Sequence, residues 1–135
     1  MQFIEWKENY NVGVKEIDIQ HRGLFDIIDK LSRASQIEPE GKYFLMTFSK
    51  FIEYARVHFS TEERYMKEAE YPKLSEHRQE HIQYLTELSD LALELENKTS
   101  DTERKILDYL KTWYTSHILG EDRDYMESLK AKGFK

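Results

Sequence analysis

Cysteine is absent from this chain of 135 residues. Its absence excludes disulfides, zinc–thiolate sites, iron–sulfur clusters and cysteine nucleophiles. Proline and glycine are scarce, with 2 and 5 residues, which disfavours a turn-rich β structure. The chain also lacks any run of about 18 apolar residues, and its first residues do not have the pattern of a signal peptide. We therefore expect a cytoplasmic protein that does not insert into a membrane.

Negative charge exceeds positive charge, since the net charge is -6, and lysine and arginine form no cluster. A basic face is needed to bind phosphates, so we expect no nucleic-acid partner. Apolar residues make up 39% of the chain, which is enough for a packed interior, and charged residues make up 34%. This balance favours long solvated helices in a single domain that spans residues 1–135.

Four stretches of the chain repeat apolar or histidine residues at steps of three and four, which is the pattern of amphipathic helices. Short connections between them predict an all-α fold, an up-down-up-down antiparallel four-helix bundle over residues 17–130. Residues 1–16 are rich in apolar anchors, so we expect an N-terminal arm packed on the bundle. The four stripes begin with Ile17, His21 and Leu24; Phe44, Phe48 and Phe51; Leu74, His77 and His81; and Ile106, Leu110 and Trp113.

All five histidines of the chain lie on these apolar stripes, together with or close to two acidic residues. A single histidine in such a position is usually a core residue that is bonded to a backbone carbonyl. Five at once are harder to explain this way, because each unsatisfied buried polar group costs about 1–3 kcal/mol. One metal centre would satisfy all of them. The candidate ligands are His21, His58, Glu62, His77, His81, His117 and Asp122.

The spacing of the histidines supports a common site. His58 and Glu62 are four residues apart, as are His77 and His81, so each pair faces the same way on a helix. Each histidine also lies between 17 and 21 residues from Pro39 or Lys98, which we take to mark the loops at one end of the bundle. Antiparallel helices rise equally, so the imidazoles should meet at one level, roughly 27–30 Å from those loops.

The number and type of candidate ligands narrow the choice of metal. Imidazole suits iron, copper, zinc and nickel, while carboxylate is a harder ligand. Seven ligands exceed the four that one tetrahedral zinc needs. Two octahedral ions that share bridging carboxylates would use all seven and leave room for a small ligand. We therefore predict two iron ions with an oxo or hydroxo bridge.

The ordered motifs resemble those of the hemerythrin family. They are a histidine near the start of the first helix and then H-x-x-x-E, H-x-x-x-H and H-x-x-x-x-D, and residues 17–21 look like the bacterial members. The resemblance implies reversible dioxygen binding at a di-iron site. It implies that His77, His81 and His117 hold one iron, that His21 and His58 hold the other, which keeps an open position, and that Glu62 and Asp122 bridge the two.

The resemblance also places Phe59, Trp113, Tyr114 and Ile118 around an oxygen pocket, although packing in the core would explain the same four residues. Position 114 is commonly leucine in the family. We expect the hydroxyl of Tyr114 either to reach a surface water or to point at the open iron position and donate a proton there. His117 and Asp122 are five residues apart and diverge by about 140° on a regular helix. We therefore predict a π-type turn near Gly120, unless the aspartate bridges sideways.

Other functions fit the same ligands. A di-iron oxidase or peroxidase is less consistent, because such enzymes favour paired E-x-x-H motifs that are missing here. An oxygen or iron sensor that acts through a partner stays open, as does iron handling. We predict an oxygen-binding protein rather than an enzyme, and the sequence does not distinguish between storage, transport and delivery of oxygen. An unidentified protein acceptor of oxygen and any oligomeric state are also left open.

Overall fold

All regular structure that the computed structural model describes is helical, which confirms the predicted all-α class. The structure describes residue 11 and residues 13–37, 42–97, 101–117 and 122–135, except for the side chains of residues 122–124. Five α-helices lie within these ranges. They are α1 (Lys15–Ile37), α2 (Lys42–Glu68), α3 (Leu74–Glu96), α4 (Thr102–Ser116) and α5 (Asp122–Ala131).

The helices pack in a cycle that is consistent with a four-helix bundle. Helix α2 contacts α1 and α3, α4 contacts α1 and α3, and α5 contacts α2. The start of α1 lies beside the end of α2, because Glu16 bonds Tyr65 and Gln20 bonds Thr61. Neighbouring helices that run in opposite directions give such pairs. No helix within the described ranges is long and apolar enough to cross a membrane.

Two separate apolar clusters fill the interior. The larger one contains Leu24, Phe48 and Leu110 and draws on α1, α2, α3 and α4. The smaller one lies at the start of α1, the end of α2 and along α5, and it consists of Val14, Ile17, Met66, Ala69, Tyr125, Met126 and Leu129. The stripes predicted from the sequence form these clusters, because burial of apolar surface is the main stabilising contribution.

The helix limits differ from the predicted ones at the start of α1 and in the fourth helix. Helix α1 begins at Lys15, so the last two residues of the predicted arm 1–16 are helical, and Val14 is buried. Residues 1–10 and Val12 lie outside the described residues, so the packing of the arm stays a prediction. The predicted fourth helix is described as two helices, α4 and α5, and residues 118–121 between them lie outside the described residues. Gly133 closes α5 with a positive φ of 90° and a bond from the Phe134 N–H to the Leu129 carbonyl.

Candidate metal centre

A layer of buried polar residues lies between the two apolar clusters. On α1, His21 follows Ile17 of the smaller cluster and precedes Leu24 of the larger one. On α2, the turn that carries His58 and Glu62 lies between Ala55 and Met66 in the same way, with only Phe59 interleaved. Apolar packing on both sides buries this layer and fixes the height of its side chains.

Glu62 occupies the middle of the polar layer. Its Oε1 lies 3.4 Å from Nε2 of His81 and 3.5 Å from Nε2 of both His58 and His117. These three histidines come from α3, α2 and the end of α4. Glu62 and His58 have no exposed surface, and His117 is 1% exposed. One carboxylate oxygen is thus surrounded by imidazole nitrogens from three helices.

The imidazoles converge as the spacing predicted. The ring of His21 lies 4.8 Å from that of His58 and 5.8 Å from that of His117. The ring of His81 lies 6.4 Å from His117, and that of His77 lies 6.3 Å from His81. His77 is therefore at the edge of the group, where its ring also contacts Tyr125.

Four residues bring one ligand atom each within 4.8 Å of one another: His21, His58, Glu62 and His117. The distances thus group His117 with the histidines of α1 and α2. The resemblance instead assigned His117 with His77 and His81. The distances and the resemblance therefore divide these residues between two metals in different ways. The side chain of Asp122 and the whole of Ile118 lie outside the described residues.

The backbone changes its winding at His117. This residue is π-helical and directly follows the last α-helical residue of α4. A π-type turn was predicted near Gly120, three residues further on. Gly120 itself lies outside the described residues, so that part stays a prediction. A π-helical residue widens the turn and alters the direction in which the following side chains project.

Burial keeps two of the histidines neutral. Loss of solvent around His58 is the largest influence on its pKa, which falls from 6.5 to about 4 in spite of the nearby charge of Glu62. Burial also lowers the pKa of His21 well below its ordinary value, and the neighbouring His58 and His117 add to this. Neutral imidazoles are the form that binds metals.

His81 behaves differently because it has two acidic neighbours. Burial is the largest influence and lowers its pKa, but the hydrogen bonds and charges of Glu62 and Glu63 together raise it above the ordinary value. Nδ1 of His81 lies 2.8 Å from Oε2 of Glu63. A bound cation would replace the proton that these carboxylates favour.

Three residues that were not predicted from the sequence hold candidate ligands from behind. Gln20 bonds Nδ1 of His58 at 2.8 Å, Glu63 bonds Nδ1 of His81, and the hydroxyl of Tyr125 donates to Oε2 of Glu62. Gln20 and Glu63 each directly adjoin a predicted ligand in the sequence. Tyr125 lies on the apolar stripe of the last helix. A polar atom on a buried stripe was the signal that could have identified Tyr125.

Aromatic rings cover the centre on the side of the larger cluster. Phe59 stacks on His81 with centroids 4.1 Å apart, and Trp113 stacks on His117 at 4.9 Å. Tyr114 is fully buried, and its hydroxyl donates to the backbone carbonyl of His21 at 2.9 Å. The sequence led us to expect that the hydroxyl points either at surface water or at the open iron position. It points neither at surface water nor into the group of ligand nitrogens.

The donor set fits metal ions. Imidazole nitrogens and a carboxylate suit iron and related transition metals, and the ligand atoms already lie close together in a buried layer. The rings of His58 and His81 are held at Nδ1, which leaves Nε2 free to face the centre, as metal-binding histidines require.

The fold and the site define a helical protein with a buried metal site of histidines and a carboxylate. Comparison with known proteins agrees with this class. The family model described as the hemerythrin HHE cation binding domain matches residues 12–129. The bacteriohemerythrin of Clostridium acetobutylicum is 30% identical over 130 residues, which cover 90% of this chain and 98% of that protein. The myohemerythrin of Theromyzon tessulatum is 27% identical over 125 residues, or 93% of this chain and 92% of that protein.

Solved structures give the same result. The crystal structure of a hemerythrin mutant superposes with a TM-score of 0.80 at 25% identity and covers 96% of this chain and 98% of its own. The chain belongs to the hemerythrin family.

Proposed function

We propose that this protein binds dioxygen reversibly at a non-haem di-iron centre and serves to store, transport or deliver it rather than to catalyse a reaction. Family membership supports the proposal, and one observation carries it. Oε1 of the buried Glu62 lies within 3.5 Å of histidine nitrogens from three helices. A carboxylate at the centre of several imidazoles is suited to bridge two metal ions.

The assignment of ligands follows the family pattern. His77, His81 and His117 would hold one iron, and His21 and His58 would hold the other. Glu62 and Asp122 would bridge them, and the second iron would keep a position for dioxygen. When bound, a pair of ferrous ions would supply the electrons that reversible dioxygen binding requires.

The protein side chains control access to that position. Phe59 and Trp113 stack on His81 and His117 and present apolar surface to the centre. Tyr114 fills the space beside the backbone of His21, and Ile118 would complete the pocket. Such walls admit a small apolar molecule and keep water out, which slows hydrolytic loss of a bound ligand.

The finer structural predictions belong to the same proposal. We expect the bundle to run up-down-up-down, with residues 1–16 packed against it, within one domain of residues 1–135. A cytoplasmic location is expected from the sequence alone, and a separate protein acceptor for oxygen stays an open alternative.

The direct test is the visible spectrum of the iron-loaded protein in air and again under vacuum. We expect an absorption band that appears in air, disappears under vacuum and returns over several cycles. Glu62→Ala should lose the band, whereas Glu53→Gln, at an exposed position of the same helix, should keep it. A protein that takes up two irons but is oxidised irreversibly in the first cycle would contradict reversible binding and favour an oxidase.

A further inference from the structure

The ring of His58 is held by a chain of hydrogen bonds whose direction can be deduced. The hydroxyl of Thr61 lies 3.1 Å from the carbonyl of Val57 and donates to it. Oγ1 of Thr61 therefore accepts from the Nε2 amide of Gln20 at 3.0 Å. This turns Oε1 of Gln20 towards Nδ1 of His58, 2.8 Å away. Because that oxygen only accepts, Nδ1 of His58 carries the hydrogen, and Nε2 presents its lone pair to the centre.

The ring of His81 is held by a charged partner instead of a neutral one. Oε2 of Glu63 lies 2.8 Å from Nδ1 of His81. The other oxygen of Glu63 accepts from Nε of Arg78 at 3.2 Å. An ionised carboxylate only accepts, so Nδ1 of His81 also carries its hydrogen, and Nε2 faces Glu62. Both rings thus carry a hydrogen on Nδ1 but have different supporting groups.

We propose that Gln20 and Glu63 are positioning residues that give the two metal positions different reduction potentials, with the position bound by His81 favouring the more oxidised state. The proposal rests on the di-iron function proposed above. A carboxylate that accepts the Nδ1 hydrogen makes the imidazole a stronger electron donor than an amide does, and this raises the basicity of the ligand. A more basic ligand stabilises ferric over ferrous iron and lowers the reduction potential of that site.

Arg78 adjusts the strength of this effect. Its guanidinium is half-exposed and neutralises part of the charge on Glu63, whose side chain is 24% exposed. Gln20 has no comparable charged neighbour among its hydrogen-bond partners, Thr61 and His58. The difference between the two sites is therefore one of charge behind the ligand, and exchange of the supporting residues should reverse it.

The test exchanges the two supporting residues in the iron-loaded protein and follows each variant by a redox titration with electron paramagnetic resonance of the mixed-valent state. Glu63→Gln should raise the potential of one iron, and Gln20→Glu should lower that of the other. We expect about a tenfold change in relative affinity for ferric over ferrous iron in each case, which is about 59 mV for one electron. Arg78→Gln should shift the potential in the direction opposite to Glu63→Gln.

A matched control separates local from general charge effects. Glu53→Gln removes the same charge from an exposed position of α2, where its partner is Arg56, and it should leave both potentials unchanged. Shifts of Glu63→Gln and Gln20→Glu in the same direction, or shifts no larger than the control, would overturn the proposal. If Gln20→Glu does not fold, Arg78→Gln supplies the opposing shift, because its side chain is at the surface.

A second readout needs no iron. Nitrogen-15 spectra of the metal-free protein should show a protonated Nδ1 in both His58 and His81, and an unprotonated Nδ1 in either ring would overturn the deduced bonding. Metal analysis and the oxygenation cycle are run on the same samples. If the protein binds two irons and dioxygen but the two irons have the same reduction potential, only the present inference is refuted. If the protein binds no iron, the proposed function is refuted.

Discussion

The phenol of Tyr125 donates a hydrogen bond to Oε2 of Glu62, and neither side chain has any exposed surface. This contact joins α5 to α2 across the polar layer. It also directs the other oxygen of Glu62 towards the histidines, since Oε1 is the atom that lies 3.4 Å from His81. The last helix of the chain thus takes part in the centre through a residue that is not a predicted ligand.

Replacement of Tyr125 by phenylalanine should therefore weaken both the fold and the centre. A hydrogen bond to a buried charged group contributes about 1.5–3 kcal/mol, and its loss leaves the carboxylate less well solvated. We expect Tyr125→Phe to lower the free energy of unfolding by about 2 kcal/mol in urea titrations. Tyr43→Phe, at a position that is 52% exposed, should change it by less than about 0.5 kcal/mol. Equal effects of the two substitutions would contradict a structural role of this bond.

Metal content and stability should change together. Seven candidate ligands lead us to expect two irons per chain after anaerobic loading with ferrous iron. Because a metal that binds only the native state stabilises it, iron at a hundred times its dissociation constant should add about 2.7 kcal/mol. Metal analysis and thermal melts of the loaded and chelator-treated protein give both values. A reproducible single zinc, or a metal-free form that melts at the same temperature as the loaded one, would refute the di-iron centre.

Acid should destabilise the metal-free protein. The pKa of His58 is lowered to about 4 and that of His21 well below 6.5. At a pH between these folded-state values and 6.5, both rings therefore take up protons on unfolding. Stability then rises with pH, because the unfolded state binds more protons. The lowered pKa of His58 alone corresponds to about 3 kcal/mol above pH 6.5, which is lost as the pH falls towards 4.

The raised pKa of His81 acts in the opposite direction, because its contribution is present below pH 6.5 and is lost as the pH rises. Two lowered values outweigh one raised value, so we expect the metal-free protein to lose about 2 kcal/mol between about pH 7.5 and about pH 5. Urea titrations at several pH values measure the slope. His21→Gln should reduce it, and a protein that is more stable at the lower pH would show that His81 dominates.

Sequence patterns predicted the parts of this molecule that depend on periodicity. The stripe through Ile17, His21 and Leu24 indicated which face of α1 is buried, and the reversal of chain direction between helices predicted that the imidazoles meet. These inferences need only the pitch of a helix. The family motifs added the candidate roles of Glu62 and Asp122.

Other features depend on how two helices are rotated against each other, which the sequence does not encode in a visible repeat. The contact between Gln20 and Thr61 joins residues 41 positions apart. The contact between Glu63 and His81 requires a particular rotation of α2 against α3. The partner of the Tyr114 hydroxyl is a backbone carbonyl, and every residue has one, so no side-chain pattern could have identified it.

Gly23 illustrates a contact that can be tested by a pair of substitutions. A Cβ at this position would overlap the hydroxyl of Tyr54, so the glycine allows α1 and α2 to approach. Alanine gains about 1 kcal/mol in helix propensity, but overpacking costs about 1–3 kcal/mol. We expect Gly23→Ala to destabilise the wild-type protein by about 1 kcal/mol and to stabilise a Tyr54→Leu variant by a similar amount. The same sign in both backgrounds would show that Tyr54 is not the obstacle.

Tyr114 is the residue for which the structure changes our expectation most. From the sequence we expected its hydroxyl either to reach a surface water or to donate a proton at the open iron position. In the structure the hydroxyl lies 2.9 Å from the backbone carbonyl of His21 and donates to it. A hydroxyl has one hydrogen, so donation to this carbonyl competes with donation to any ligand of the centre.

Tyr114→Phe should therefore affect stability rather than oxygenation. The ring keeps its packing, with Phe25 at a centroid distance of 6.3 Å, and only the hydroxyl is lost. The carbonyl of His21 then loses this donor, and we expect a decrease of about 1–2 kcal/mol in the free energy of unfolding. Stopped-flow oxygenation should give equal decay rates of the oxygenated band in Tyr114→Phe and in the wild-type protein. Slower decay in Tyr114→Phe, with a dependence on pH that disappears, would show that the hydroxyl leaves His21 and donates its proton at the centre.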